Sequence, residues 1–285
     1  MGCQQIAKDI IDFIVEDGTH NLVGVIEHDE ERDRVFGKLV REHCADKGIQ
    51  TYRIENKEAL LAHVKSAMPD IIFSIYYRKI IPQSVIDTPP MGCINIHPAA
   101  LPRYRGPNPT YFSVLNGDET AGTTIHYIDA GMDTGDIIAQ KLTAVEERTG
   151  FELNKHMMNV GVELFKDNYR AIMSGVNSRK KQDDSIATCV VPLRSENRYI
   201  SWMKTAEQIV QHIRAHAPPY ASCIARTENS EVSVMEARVL NQNRSSRGPG
   251  CYEIQQDGHI IVQTHAKPLL ITKWTGNISP KGRFI

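Results

Sequence analysis

The stretch GCINIHPAALPRYRG (residues 92–106) sets the reading of the whole chain. It opens as a short apolar strand that carries Asn95 and His97 at its end and is stopped by Pro98. In a strand, residues i and i+2 face the same way, so both polar side chains point at one spot. Proline has no N–H to offer a continuing ladder and fixes the exit path. In open parallel sheets ligands gather at the carboxyl ends of strands, which is where this pair falls.

The sequence around this strand alternates in the same way. QQIAKDIIDFIVED (4–17) places Ile6, Ile10, Ile11 and Ile14 at helical spacing, and NLVGVIEHD (21–29) reads as a buried strand. DRVFGKLVREHCADKG (33–48) predicts one amphipathic helix ending at Gly48. IQTYRI (49–54), PDIIFSIYY (69–77) and TTIHYIDA (123–130) read as strands. KEALLAHVKSAM (57–68) and FELNKHMMNVGVELFKDNYRAIMSG (151–175) read as helices. Strands separated by helices of this length imply right-handed crossovers and a mainly parallel, Rossmann-like α/β sheet covered on both faces. The chain begins on a helix rather than on a strand, which is unusual for such a domain.

Composition changes at SGVNSRKKQDDS (174–185), which is polar and aperiodic and reads as a linker. The helical TAEQIVQHIRAHA (205–217) follows, and CYEIQQDGHIIVQT (251–264) carries a hairpin signal around Asp257-Gly258. The expected division is therefore a catalytic α/β domain over residues 1–180 and a small, barrel-like β module over 181–285.

Bulk numbers narrow the function. The 285 residues hold 33 Lys+Arg against 34 Asp+Glu, a net charge of −1, which disfavours a polynucleotide partner bound through a general basic surplus. The six cysteines, Cys3, Cys44, Cys93, Cys189, Cys223 and Cys251, show no CxxC pair and no zinc spacing. They read as buried thiols of a reducing compartment, and with no membrane-spanning run the expected location is the cytoplasm. No GxGxxG follows a strand, which argues against a dinucleotide site.

His97 suits proton transfer near neutral pH, and the Asn95 amide can donate to a developing oxyanion. DAGMDTGDII (129–138) offers a carboxylate, Asp133, between Gly131 and Gly135. Together the three suggest acyl transfer to an amine. On these residues alone, His97 reads equally as a structural histidine, Asn95 as a turn cap, and the acidic loop as an Asp-Gly turn cluster.

NIHPAALPRYRGPNP (95–109) followed by GDETAGTTIHYIDAGMDTGDIIAQ (117–140) resembles the signature of the formyltransferases that use 10-formyltetrahydrofolate. The resemblance covers the first domain, and the later β module is similar to the OB-like C-terminal domain of the tRNA and aminosugar members. It implies Asn95, His97 and Asp133 as the catalytic set. Asn95 would stabilise the oxyanion, His97 would shuttle a proton, and Asp133 would orient His97 and raise its pKa. It also implies a folate site between Arg78, Lys79, Ile80 and Ile81 and the loop Ile128, Asp129, Ala130 and Gly131, with no metal.

The segments at 1–3, 31–49, 69–81 and 201–210 look most similar to the formyltransferase domain of the 4-amino-4-deoxy-arabinose lipid A modification enzyme. The tRNA members carry a basic insertion where this chain has the short, acidic EHDEERDRVFG (27–37). The resemblance therefore implies a nucleotide-linked amino sugar as acceptor. Arg103, Tyr104 and Arg105 would contact it, or would simply be loop-surface arginines and a packing tyrosine. The alternatives are methionyl-tRNA as acceptor, and water, which would make the chain a formyltetrahydrofolate hydrolase. Sugar-acting relatives suggest a homodimer. Relatives also begin with a strand upstream of MGC, so a chain starting at Met1 is expected to lack a strand and some stability.

Overall fold

The structure, a computed structural model, describes residues 1–28, 30–242 and 247–285. Asp29, which belongs to the expected strand and acidic loop, lies outside the described residues. The chain divides into two compact units, one of residues 1–106, 122–143 and 156–189, the other of residues 107–121, 144–155 and 190–285.

In the first unit α1 (Gln4–Asp17) buries the predicted isoleucine stripe and ends at Gly18. Gly18 adopts φ 62°, a left-handed stop that returns its N–H to the Ile14 carbonyl. The strand expected over 21–29 shortens to β1 (Val25–Ile26), paired in parallel with β2 (Thr51–Tyr52). The single helix expected over 33–48 is instead a 3-10 turn, Glu31–Phe36, and a separate α2 (Val40–Asp46). Gly37 breaks it at φ 95°, and Asp33 turns inward to bind Arg78.

After α3 (Lys57–Ala67) come β3 (Ile72–Ile75), the short α4 (Gln83–Ile86) and β4 (Cys93–His97). α5 (Pro109–Asn116) lies wholly in the other unit, and β5 (Thr120–Tyr127), β6 (Ile137–Ala144) and the long α6 (Gly150–Met173) follow. The order β3-β4-β5-β6 has β3 parallel and β5 antiparallel to β4. Residues 1–3 join this sheet to the β1-β2 pair. Gly2 bridges in parallel to both Glu27 and Ile75, with Gly2 N–H 3.0 Å from the Ile26 carbonyl and Ile75 N–H 2.9 Å from that of Met1. The mainly parallel sheet is thus present, with N-terminal residues completing its middle.

Alternation along β4 assigns the two faces. Ile94 and Ile96 pack with α1 and α6, against Ile6, Ile10, Met158 and Phe165. Cys93 joins the opposite layer with Leu60, Val64, Val85 and Ile86. Asn95 and His97 share parity with Cys93, so neither competes with the α1–α6 core. Fully burying an isoleucine is worth about 1.5–3 kcal/mol, so a one-residue slip that turned Ile94 and Ile96 outward would cost several kcal/mol.

In the second unit α7 (Ala206–Ala215) starts from a Thr205–Gln208 capping box. Among the described residues six antiparallel strands follow, β7 (Cys223–Arg226), β8 (Glu231–Val239), β9 (Cys251–Ile254), β10 (Ile260–Val262), β11 (Leu269–Gly276) and β12 (Lys281–Arg283). Their order is β12-β9-β10-β11-β8-β7, and a bond from Ile285 N–H to the Arg226 carbonyl, 2.8 Å, draws the two edges together. The β9–β10 hairpin turns at Asp257-Gly258 as expected. Stacking of Phe284 on Trp202 and Tyr252 helps fill the interior.

His212, His216 and Cys223 place their ligand atoms within 4.8 Å of one another here. Protein partners account for them. His212 Nε2 donates to the Asn197 carbonyl, His216 Nε2 meets the Tyr111 hydroxyl, and the Cys223 thiol donates to the His212 carbonyl. Four cysteines are buried, but Cys251 is half-buried and Cys189 exposed, which corrects the uniform burial expected.

Burial lowers the pKa of both His28 and His216 to about 4, aided by neighbouring Arg78 and Lys79 for the first and by His212 for the second. The unfolded chain takes up these protons near pH 6.5, so it binds more protons than the native state between about 4 and 6.5. Stability should therefore fall as pH drops through that window. The urea midpoint should decline from pH 7 to 4.5, and His216→Gln should flatten the decline; an unchanged slope in the variant would contradict the assignment.

Candidate active site

β4 delivers Asn95 and His97 to the carboxyl edge of the sheet, and the antiparallel register with β5 sets His126 opposite Asn95 and Thr124 opposite His97. Directly paired residues share a face, so these four side chains form one polar patch. The loop after β5 brings in the fifth member, Asp133, at φ 55°. Left-handed geometry is uncommon outside glycine, and aspartate tolerates it better than most residues. Gly135 permits the loop to fold this tightly, since a Cβ there would lie 1.9 Å from the Tyr127 carbonyl oxygen.

The hydrogen bonds fix two imidazole tautomers, because a carbonyl can only accept. His97 Nε2 donates to the Tyr104 carbonyl at 2.9 Å, which leaves Nδ1 facing Asp133 Oδ2 at 3.6 Å. His126 Nδ1 donates to the Tyr127 carbonyl at 2.8 Å, so in the neutral ring Nε2 is an acceptor and receives Asn95 Nδ2–H at 3.1 Å. The other Asn95 N–H makes a longer approach, 3.4 Å, to Asp133 Oδ1. Asp133 Oδ2 accepts the Gly106 backbone N–H at 2.9 Å.

Burial alone would raise the pKa of Asp133. The charges of His97 and His126 and the Gly106 N–H reverse this and hold the carboxyl well below the usual range. For His97 burial is the largest influence and lowers its pKa; the pull of Asp133 and of the Tyr104 carbonyl only partly offsets it. The expectation that the carboxylate raises the pKa of His97 is thus corrected in its net sign. At neutral pH the site holds an ionised Asp133 beside a neutral His97 with a bare Nδ1.

The remaining candidates separate by environment. Arg78 pairs through both terminal nitrogens with buried Asp33, and its backbone N–H donates to His28 Nε2 at 3.1 Å. Lys79 Nζ is held by the Ile54 carbonyl and Glu55, and Ile80 is 78% exposed. Ile81 and Ile128 meet in one apolar cluster with Val85, Ile86 and Cys93, which brings the two expected folate segments together. Asp129 is turned onto its own loop, accepting from Gly131 N–H and the Thr134 hydroxyl, while Ala130 and Gly131 are exposed.

Arg103 is exposed, with its guanidinium 5.1 Å from the ring centre of Tyr104, which is itself buried. Arg105 is buried and committed inward to Gln182 and Asp184, so the reading of it as a surface arginine does not hold. The supposed linker 174–185 lies against this site. Lys180 pairs with Ile137, and Gln182 donates to the carbonyls of Asp133 and Gly135. Sequence reasoning missed both His126 and Gln182. His126 was discoverable from the parity of TTIHYIDA against the β4 pair; Gln182 carried no local signal.

Comparison with known proteins identifies the family. The formyl transferase family matches residues 10–167, and the formyl transferase C-terminal domain matches residues 192–277. The methionyl-tRNA formyltransferase of Carboxydothermus hydrogenoformans is 32% identical over 207 residues, covering 72% of this chain and 67% of that protein. That of Clostridioides difficile is 29% identical, covering 95% and 89%. Among solved structures, the sugar 3-N-formyltransferase WlaRD, with dTDP and 5-N-formyl-THF, superposes with TM-score 0.74 at 21% identity over 97% of both chains. An N-formyltransferase from Helicobacter canadensis, with folinic acid and dTDP-3-aminofucose, gives 0.73 at 20% identity, covering 95% of this chain and 96% of that one. With its first domain matched over more than half the chain and its second matched in turn, this protein belongs to the formyl transferase family.

Proposed function

We propose that Asn95, His97 and Asp133 carry formyl transfer from 10-formyltetrahydrofolate to the primary amine of a nucleotide-linked sugar. The donor supplies an activated formyl carbon. The apolar cluster shared by Ile81 and Ile128 beside β4 suits one wall of a flat ring system, with backbone groups of 78–81 and 128–131 at its edge. As the amine attacks, a C–N bond forms, and the bond from the formyl carbon to the folate nitrogen then breaks. Asn95 exchanges its long contact to Asp133 for the formyl oxygen and stabilises the charge gathering there. His97 Nδ1 takes the proton of the amine and returns it to the departing nitrogen, while Asp133 stabilises the transient imidazolium.

One observation carries the acceptor assignment. The basic residues that follow β1 are matched by carboxylates of the same region: Arg32 with Glu30, Arg34 with Glu31 and Glu42, Arg41 with Glu31, and Lys38 with Asp46. A segment neutralised in this way offers little to a phosphate backbone, whose binding rests on releasing counterions to unmatched cations. A sugar diphosphate asks for far less charge, and exposed Arg103 beside Tyr104 suits it. The second reading, methionyl-tRNA as acceptor, is favoured by the named activity of the relatives at 28–32% identity.

Release of tetrahydrofolate should require a dTDP- or UDP-linked amino sugar. Turnover only with charged initiator tRNA would establish the second reading, and equal turnover without any acceptor would make the protein a hydrolase. His97→Ala and Asp133→Asn should nearly abolish turnover in folded protein, and Asn95→Ala should slow it by about 10²-fold or more, the usual loss of one oxyanion donor. Near-wild-type rates in either of the first two would overturn the mechanism. Because the pKa of His97 lies below its ordinary 6.5, the base stays competent on mild acidification. The acid limb of kcat/KM should therefore fall below pH 6.5; a limb above 6.5 would show that the carboxylate outweighs burial.

A further inference from the structure

We propose that Gln182, in the polar segment after α6, is a positioning residue that holds Asp133 in its left-handed conformation. Its amide Nε2 donates to the Asp133 carbonyl and to the Gly135 carbonyl, each at 2.8 Å. Its Oε1 accepts from Arg105 Nε at 3.0 Å and from Arg105 Nη2 at 2.9 Å. One side chain thereby ties together the loop that carries Asp133 and the loop 101–106, which supplies the Tyr104 carbonyl to His97 and the Gly106 N–H to Asp133.

Both ends of this clamp are themselves fixed. Arg105 is 7% exposed and reaches Asp184 at 2.7 Å. The same segment continues along loop 101–106, where Thr188 caps the Tyr104 N–H with its hydroxyl and accepts the Arg105 N–H on its carbonyl. The backbone of Asp133 departs from its preferred region, and such a conformation persists only where surrounding bonds over-determine it. Without the two N–H donors of Gln182, the peptides that follow Asp133 and Gly135 are released, and the carboxylate can withdraw from His97 Nδ1.

The inference rests on Asp133 acting on His97, and the experiment separates the two ideas. Gln182→Met keeps the volume and removes every hydrogen bond; Gln182→Glu keeps the acceptor for Arg105 and removes the donors to the loop. Both should lower kcat by about 10- to 100-fold, the range that a misplaced catalytic group costs, while KM for the formyl donor stays within about twofold. The acid limb of the pH–rate profile should move to lower pH in Gln182→Met, because Asp133 withdraws and His97 loses the charge that partly supports its protonation. The groups facing that ring are Asp133, His126 and the Tyr104 carbonyl; the substitutions change none of these residues, only the position of Asp133. In an Asp133→Asn background, Gln182→Met should cause no further loss.

Wild-type rate and pH profile in Gln182→Met, with Asp133→Asn inactive, would overturn the clamp alone. Full activity in Asp133→Asn would overturn the catalytic reading beneath it. Activity kept in Gln182→Glu but lost in Gln182→Met would also overturn the proposal, since it would place the role on Arg105 rather than on the Asp133 loop. Should Gln182→Met fail to fold, the kcat of Gln182→Glu decides, and a wild-type value would overturn the clamp.

Discussion

A carboxylate placed between two imidazoles and an amide, mostly shielded from water, will not stay there by its own preference. Asp133 is held from three directions: the Gly106 N–H on its side chain, Gln182 on its carbonyl, and the Asn95 amide across the gap, with the imidazoles of His97 and His126 beside it. Burial pushes its proton affinity up, and these partners more than reverse the effect. The chemistry assigned to His97 follows from that balance. A neutral ring with Nε2 committed to a carbonyl has one lone pair left, on Nδ1, and it faces the charge that can stabilise its protonated form.

The sheet makes this arrangement tolerable. β4 sends Ile94 and Ile96 into the layer shared with α1 and α6 and turns Asn95 and His97 the other way. The apolar core thus bears on one face, and polar residues accumulate on the other only at the strand's end, where the chain leaves the sheet at Pro98. β5 repeats the pattern, with Ile125 in the core and Thr124 and His126 beside the β4 pair. Core and site share two strands without competing for the same positions.

Charge is organised locally rather than globally. A net charge of −1 over 285 residues says little about any one surface. What bears on the acceptor is that the arginines and lysine after β1 are matched by carboxylates within the same segment, and that Arg105 is drawn inward while Arg103 stays exposed. Two arginines two positions apart in LPRYRG thus have different fates, Arg105 being drawn in by a partner, Gln182, 77 positions away.

The α/β class, the isoleucine stripe of α1, the strand ending in Asn95 and His97, and the Asp257-Gly258 hairpin were legible because each is written in local periodicity or turn chemistry. The motif around Asp133 was legible for the same reason, as spacing within one loop. The break at Gly37 was not, because it depends on Asp33 finding Arg78, and a helical pattern cannot report a distant ion pair. Nor was the role of residues 174–185: a polar aperiodic run looks like a linker whether or not its side chains find buried carbonyls. The net fall in the pKa of His97 likewise needed the packing around it, since sequence shows the neighbouring carboxylate but not the burial. Local sequence names the candidates for the chemistry; which nitrogen is bare, which arginine is spent and what holds Asp133 were settled by packing, because those depend on contacts between segments far apart in the chain.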